Sequence, residues 1–397
     1  MTFPRRMAYF LTAFVFVALL VLPTADRFLG LAPRFLVAEN NFTKLPVTTL
    51  DPVTWVKWFD VLRRGYLERH YSLRSLLISW NSYLDTFVLA STSTSSNVVA
   101  GVDHWLFLAQ DGDNNILEDA RSPEALPEAP LATLVGELER RREWLASRGI
   151  RYLVVFAPNK NTVYPEKLPE ALRPISVEGH LSQFVRYARA HSKLDIVDVT
   201  PALLETKKDL QVFYKTDSHW NANGAFAAYQ EIAASLRRDF PHITVLDRDQ
   251  FLLQQYNWLP GDLAYMLGLA DHLKEDRIIF FNRNWYKSRG QTYNGPDDPH
   301  YFEFPQYAVT GDGRLPNAVV FHDSFWWELL PFVAESFDKL LSVWLKPQTD
   351  KDFRYFDTAV IEREKPDIVI DEFTERYILP GLHSHFKAKN GTASVAP

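Results

Sequence analysis

The 397-residue chain contains no cysteine. That excludes disulfides, thiolate nucleophiles and cysteine-ligated metals, and it leaves the compartment open, because cysteine-free chains occur on both sides of a membrane. No run of five or more like charges is present, and with a formal charge of −6 the chain as a whole is no nucleic-acid binder. It also lacks an internal repeat, and no Pro/Ser linker divides the part beyond residue 100. Hydrophobic residues at 47% supply a substantial core. The 11 Trp, 17 Tyr and 28 Phe suit a carbohydrate-facing surface and a large core equally well.

The amino terminus speaks to location. Arg5 and Arg6 precede an almost uninterrupted apolar run from Met7 to Leu22. That is slightly shorter than the roughly 20 residues that span a bilayer comfortably. Pro23-Thr24-Ala25 is a poor match to a cleavage site, so an uncleaved signal anchor over 1–25 is preferred to a cleaved signal peptide. The arginines then keep the amino terminus cytoplasmic. The expectation is a single-pass inner-membrane protein with its body on the periplasmic, extracytoplasmic side. Residues 26–100 read as a mostly helical membrane-proximal region, with amphipathic helical pattern from Trp55 to Leu89 and a Ser/Thr-rich loop over 91–96. Gly101–Leu108 reads as a turn followed by a strand.

From about residue 128 the pattern becomes regular. Leu131, Leu134, Val135, Leu138 and Leu145 recur at helical spacing, and Gly149 is a plausible helix stop. Tyr152–Ala157 is a continuous apolar run, as expected of a buried parallel strand. Further helices are predicted near 180–191, 225–238, 325–338 and 353–364. Further strands are predicted at 194–199, 243–246, 317–321, 340–345 and 367–371. Strands alternating with helices predict a doubly wound parallel α/β sheet with helices on both faces. This domain is expected to span 101–385, followed by a flexible tail over 386–397. Within it, 281–315 is too long and polar for a simple turn and reads either as a substrate-facing insertion or as a solvated loop.

Two loops carry the chemistry. Thr216–Gly224 contains Asp217 two residues before His219, the arrangement in which a carboxylate can fix an imidazole tautomer and leave the other ring nitrogen to take a proton. About 100 residues later, His322-Asp323-Ser324-Phe325 follows the apolar run 318–321 and precedes a helical segment. A strand–tight turn–helix placement of that kind exposes a serine hydroxyl beside a helix N-terminus. Capping offers a plainer role for Asp217, Ser218 and Asp323-Ser324, and His322 and Asp323 can act simply by shaping the turn. Asp-x-His also occurs in metal sites, but no cluster of further His or carboxylate ligands accompanies it, so neither metal nor cofactor is expected.

Asp217–Gly224 resembles the last block of SGNH-type hydrolases, where an Asp and a nearby His precede a C-terminal helix. His322–Phe325 resembles their Gly-Asp-Ser block, with His replacing the Gly. The order is reversed, as in a circular permutation, and in this the chain is similar to the alginate O-acetyltransferase (AlgJ/AlgX-like) family. Gly101–Leu108, Pro158–Pro165, Pro260–Ala264 and Glu375-Arg376 also resemble pieces of that family. The resemblance implies an SGNH hydrolase-like fold and a two-step acetyl transfer through Ser324 as nucleophile, His219 as general base and Asp217 as its orienting carboxylate. The Ser324 backbone N–H is one implied oxyanion donor, and Asn161, Tyr164 and Arg376 are candidate oxyanion or substrate groups. The implied acceptor is an extracytoplasmic polysaccharide, and the implied acetyl source is a membrane-bound O-acyltransferase partner. A polysaccharide acetyl esterase and a non-catalytic, membrane-tethered glycan-binding subunit are the alternatives.

Overall fold

The computed structural model describes residues 10–17, 21, 72–88, 97–112, 114–121, 125–175, 178–282, 307–344 and 356–378. The chain divides into two compact units, Met1–Ala100 with Pro260–Lys274, and Gly101–Leu259 with Glu275–Pro397. In the first, the helix Ser72–Tyr83 runs into a π-helical turn at Leu84–Val88, and a short helix covers Asp262–Met266. Tyr83 packs on Phe87 and His272 there. Residues 10–17 and 21 are helical, and among the described residues no helix is long and apolar enough to cross a membrane. Most of the expected membrane-proximal helical stretch, and all of the tail over 386–397, lie outside the described residues.

The second unit runs in chain order through β1 (Leu106–Leu108), α1 (Ile116–Arg121), α2 (Glu128–Ala146), β2 (Arg151–Ala157), α3 (Lys160–Val163), α4 (His180–His191), β3 (Ile196–Asp198), α5 (Thr200–Thr206) and α6 (Ala222–Arg237). It continues with a hairpin of β4 (Phe251–Leu259) and β5 (Glu275–Asn282), then β6 (Tyr307–Val309), β7 (Asn317–His322), α7 (Trp326–Val333), β8 (Lys339–Trp344), α8 (Thr358–Glu364) and β9 (Ile368–Thr374). Six strands form one sheet in the order β3-β2-β9-β7-β8-β6. The first five are parallel, with Ile368 opposite Arg151 on one side and Ala318 on the other.

The central strands are parallel because their sequences are apolar on both faces. Tyr152, Val154 and Phe156 of β2 pack with Val369 and Phe373 of β9 and with Leu131, Leu134 and Leu138 of α2. The alternate residues Leu153, Val155, Val320 and Ile370 point the other way and are as deeply buried, so the sheet is covered on both sides. Each such Leu, Val or Phe contributes about 1.5–3 kcal/mol over exposure. The one charge that α2 buries, Arg141, is held by Asp371 of β9 at 2.8 Å, and the Tyr152 hydroxyl donates to the same carboxylate. Gly149 sits at φ +72°, the left-handed geometry in which a helix-ending glycine has no Cβ penalty.

Three expectations need correction. The sheet is mixed, because β6 pairs antiparallel with β8 at the edge. Residues 243–246 form a loop: of these four only Ile243 is buried, and the Leu246 amide donates to the Tyr229 hydroxyl at 2.9 Å instead of to a neighbouring strand. The predicted helix over 325–338 is shorter, ending at Val333 and passing through a 3-10 turn at Ala334–Ser336 into β8. Of the stretch 281–315, residues 283–306 lie outside the described residues, while 281–282 end β5 and 307–309 make β6.

Candidate active site

The loop that carries Asp217 and His219 is fixed before the helix begins. Its helix, α6, is capped by Asn221, whose side chain accepts from the amides of Asn223 and Gly224 at 3.0 and 3.2 Å. Asp217 and Ser218 are therefore not its caps, which removes their plainer explanation. Gly224 is demanded by space: a Cβ there would meet the Val212 carbonyl oxygen at 2.3 Å. From below, buried Lys160 of α3 donates to three carbonyls, those of Leu106, Lys215 and Asp217, at 2.6, 2.8 and 2.8 Å. From the hairpin, Glu275 accepts from the amides of Lys215 and Thr216 at 2.8 and 2.7 Å. The Trp220 indole donates to the Phe325 carbonyl at 3.0 Å and so ties this loop to the serine turn.

The serine turn is held by its own aspartate. Asp323 accepts from the Phe325 amide at 2.9 Å, and its second oxygen accepts from the Thr374 amide and hydroxyl at the end of β9, at 2.8 and 2.6 Å. The Asp323 amide donates to Glu372 at 3.1 Å. Asp323 thus anchors the turn to the neighbouring strand, and Ser324 is left in a tight turn just ahead of α7. His322 is buried, donates through Nδ1 to the Asp323 carbonyl at 2.7 Å and packs against Trp326 and Trp327. Burial lowers its pKa to about 3, so it is neutral at physiological pH.

The two loops meet. His219 Nε2 lies 2.7 Å from Ser324 Oγ, and His219 Nδ1 lies 2.7 Å from Asp217 Oδ1. The second oxygen of Asp217 is paired with Arg277 of β5, whose guanidinium also lies over the Tyr214 ring. Burial opposes ionisation of Asp217, but the hydrogen bond and charge of His219, together with the charge of Arg277, outweigh it and hold the carboxyl far below its usual range. Asp217 is therefore a fixed anion, able to hold the imidazole N–H and stabilise an imidazolium. Glu328 lies one helical turn after Ser324, and the Tyr214 hydroxyl donates to it at 3.3 Å. Burial pushes its pKa up to about 7.

Of the other predicted groups, Tyr164 packs at a tilt against Trp105 and its hydroxyl accepts from the Val212 amide, a bond that packs the Asp/His loop and leaves it outside the serine–histidine contact. Asn161 and Arg376 are buried and line one cleft, with the Arg376 guanidinium 5.3 Å from the Phe325 ring centroid. Lys160, Glu275, Arg277 and Glu328 were not singled out from sequence. Lys160 stands inside the Pro158–Pro165 block, but a single lysine there gives no sign that it bridges three carbonyls.

Residues 98–286 match the family described as SGNH hydrolase-like domain, acetyltransferase AlgX. The probable alginate O-acetylase AlgJ of Pseudomonas putida is 30% identical over 294 residues, covering 71% of this chain and 70% of that protein. The chain belongs to the AlgJ/AlgX-like family. Another AlgJ/AlgX-like relative, the probable alginate O-acetylase AlgJ of Pseudomonas fluorescens, is 30% identical over 145 residues, covering 36% of this chain and 34% of that protein. Bacillus cereus PatB1, solved with a sulfonyl adduct, superposes with a TM-score of 0.50 at 12% identity, covering 71% of this chain and 97% of that one, a likeness of fold alone. The two blocks by which the sequence resembles SGNH-type hydrolases, 217–224 and 322–325, both contribute to the serine–histidine–aspartate contact.

Proposed function

We propose that this protein is an O-acetyltransferase that moves acetyl groups through a Ser324 acyl-enzyme onto hydroxyls of an alginate-type polysaccharide. The observation that carries this is the continuous hydrogen-bonded line from Asp217 through His219 to Ser324. The AlgJ relatives, described as alginate O-acetylases, support the choice of acetyl group and polymer.

In the first half-reaction Ser324 Oγ attacks the donor's acetyl carbonyl carbon while His219 Nε2 takes the hydroxyl proton. The tetrahedral intermediate collapses, the donor's alcohol or thiol leaves with that proton, and Ser324 holds the acetyl ester. In the second, His219 takes the proton of an acceptor hydroxyl, whose oxygen attacks the ester. Collapse frees Ser324 Oγ, which recovers a proton from His219. Asp217 stays ionised throughout, and positioned proton transfer of this kind contributes on the order of 10²–10⁴-fold. The Ser324 amide is the candidate donor to the oxyanion.

We also propose that the apolar run 7–22 anchors the chain in the inner membrane with the second unit on the periplasmic side, where a membrane-bound O-acyltransferase hands acetyl outward. Arg5-Arg6 and the length of the run support this topology. The test of function uses cells and purified protein together. Ser324→Ala and His219→Ala are expected to abolish polymer acetylation while the protein stays folded. Full acetylation with either variant would make the chain a binding subunit, and release of acetate without transfer to an added oligosaccharide would make it an esterase.

A further inference from the structure

A cleft of about 510 Å³ lies along the carboxyl ends of three neighbouring strands. Thr200 follows β3, Asn159 and Asn161 follow β2, and Glu375 and Arg376 follow β9. In the sheet order the next strand after β9 is β7, whose end carries Ser324. Adjacent strands lie about 4.8 Å apart, so the cleft stops one strand short of the nucleophile. Its near wall is joined to the serine turn twice, through Thr374 to Asp323 and through Arg376 over the Phe325 ring.

The lining is unusual for a space filled only by packing. Thr200 Oγ1 is buried and makes no hydrogen bond among the described residues. Asn159 and Asn161 are 6% and 3% exposed, and neither side-chain amide has a hydrogen bond to a described residue. Buried polar groups without partners are costly, and three along one wall point to a ligand that supplies the partners. The carboxylates nearby are engaged: Glu375 accepts from the Asn159 amide and the Thr162 hydroxyl, and Glu166 is paired with Lys207. What faces the space is two amides, each both donor and acceptor, a hydroxyl and the guanidinium of Arg376, whose Nε is paired with Asp111 at 3.3 Å. That set matches a ligand rich in hydroxyls, with an anionic group placed at Arg376.

We infer that this cleft is an acceptor subsite that binds a uronate-type sugar of the polymer next to the one being acetylated. It rests on the acetyltransferase function proposed above. Asn159, Asn161 and Thr200 bond the ring hydroxyls, and Arg376 takes the carboxylate. The volume lies within the range of ligand pockets and exceeds that of one sugar ring, so the chain continues from the cleft across the end of β9 toward Ser324.

The test is calorimetric binding of an alginate oligosaccharide to the full chain carrying Ser324→Ala, with and without Thr200→Val and Asn161→Leu. Both added changes replace an unsatisfied polar group by an apolar one of similar shape. Each is expected to weaken binding by roughly three- to tenfold, from loss of about one hydrogen bond, while the thermal midpoint holds or rises. A merely structural role would lower the midpoint and leave affinity alone. Absence of binding to the Ser324→Ala protein, or undiminished affinity in the double variant, overturns the inference. Binding and catalysis are read separately, so loss of the subsite leaves the Ser324 chemistry standing, and failure of that chemistry leaves the binding result intact.

Discussion

His219 Nε2 lies 2.7 Å from Ser324 Oγ although 105 residues separate them in the chain. The contact is made by two loops with independent supports. Lys160 and Glu275 hold the histidine's loop by its backbone, and Asp323 holds the serine's turn to β9. Trp220, donating to the Phe325 carbonyl, joins the two.

Asp217 is the orienting anion, so its charge and not its size is expected to matter. Asp217→Asn keeps the shape but lets the amide favour the wrong imidazole tautomer. Acetyl turnover is expected to fall on the order of 10⁴-fold, with the fold retained by circular dichroism. A loss of less than tenfold would remove the carboxylate from the mechanism.

Arg277 pairs the outer oxygen of Asp217 and is largely buried. Arg277→Met leaves a buried carboxylate with one partner fewer, and stability is expected to fall on the order of 2–4 kcal/mol in denaturant unfolding. The Arg277→Lys variant should recover part of that, because charge is kept while the planar fork is lost. The folded-state pKa of Asp217 is depressed, so its contribution is present above the unfolded carboxyl pKa near 4 and disappears as pH falls toward its folded value. Acid unfolding of Asp217→Asn is accordingly expected to be shallower below pH 4.

Lys160 gives all three of its ammonium protons to backbone carbonyls. Lys160→Met fills the same volume and leaves those carbonyls without the donor. A loss of about 3 kcal/mol is expected, together with a drop in turnover as the Asp217 loop loosens. An unchanged thermal midpoint would contradict this account of the loop.

Glu328 has the opposite sign to Asp217. Burial raises its pKa from about 4.5 in the unfolded chain to about 7 in the folded one. Between those values the folded state keeps a proton that the unfolded state gives up, so stability declines as pH rises and levels off above 7. Glu328→Gln, which cannot ionise, is expected to stabilise the protein at pH 8 by on the order of 1–2 kcal/mol and to leave stability at pH 4 nearly unchanged. Equal effects at both pH values would place the carboxyl in a solvated setting.

What could be read from the sequence was what periodicity and local chemistry encode. The apolar run at Tyr152–Ala157 is a central strand because both of its faces are covered, and the helix-spaced leucines at 131–145 are the ridge that covers one of them. Asp217, His219 and Ser324 were visible because each sits in a loop that ends a strand or begins a helix. Arg277 was not, since it ends the charged run Glu275-Asp276-Arg277, which reads as a solvated stretch at the start of a strand. Its role comes only from the register that sets it facing Asp217. Residues 243–246 have strand composition, but Tyr229 takes the Leu246 amide, a tertiary hydrogen bond that propensity cannot anticipate.

The central claim, that Ser324 carries the acetyl group between donor and polymer, is tested most directly by intact mass spectrometry. The purified protein is incubated with an activated acetyl ester, and alginate oligosaccharide is then added. The account predicts one acetyl adduct, mapped to Ser324, absent from Ser324→Ala and His219→Ala, and discharged to the oligosaccharide. An adduct that forms equally well without Ser324 or without His219, or no adduct while the polymer is still acetylated, would contradict it.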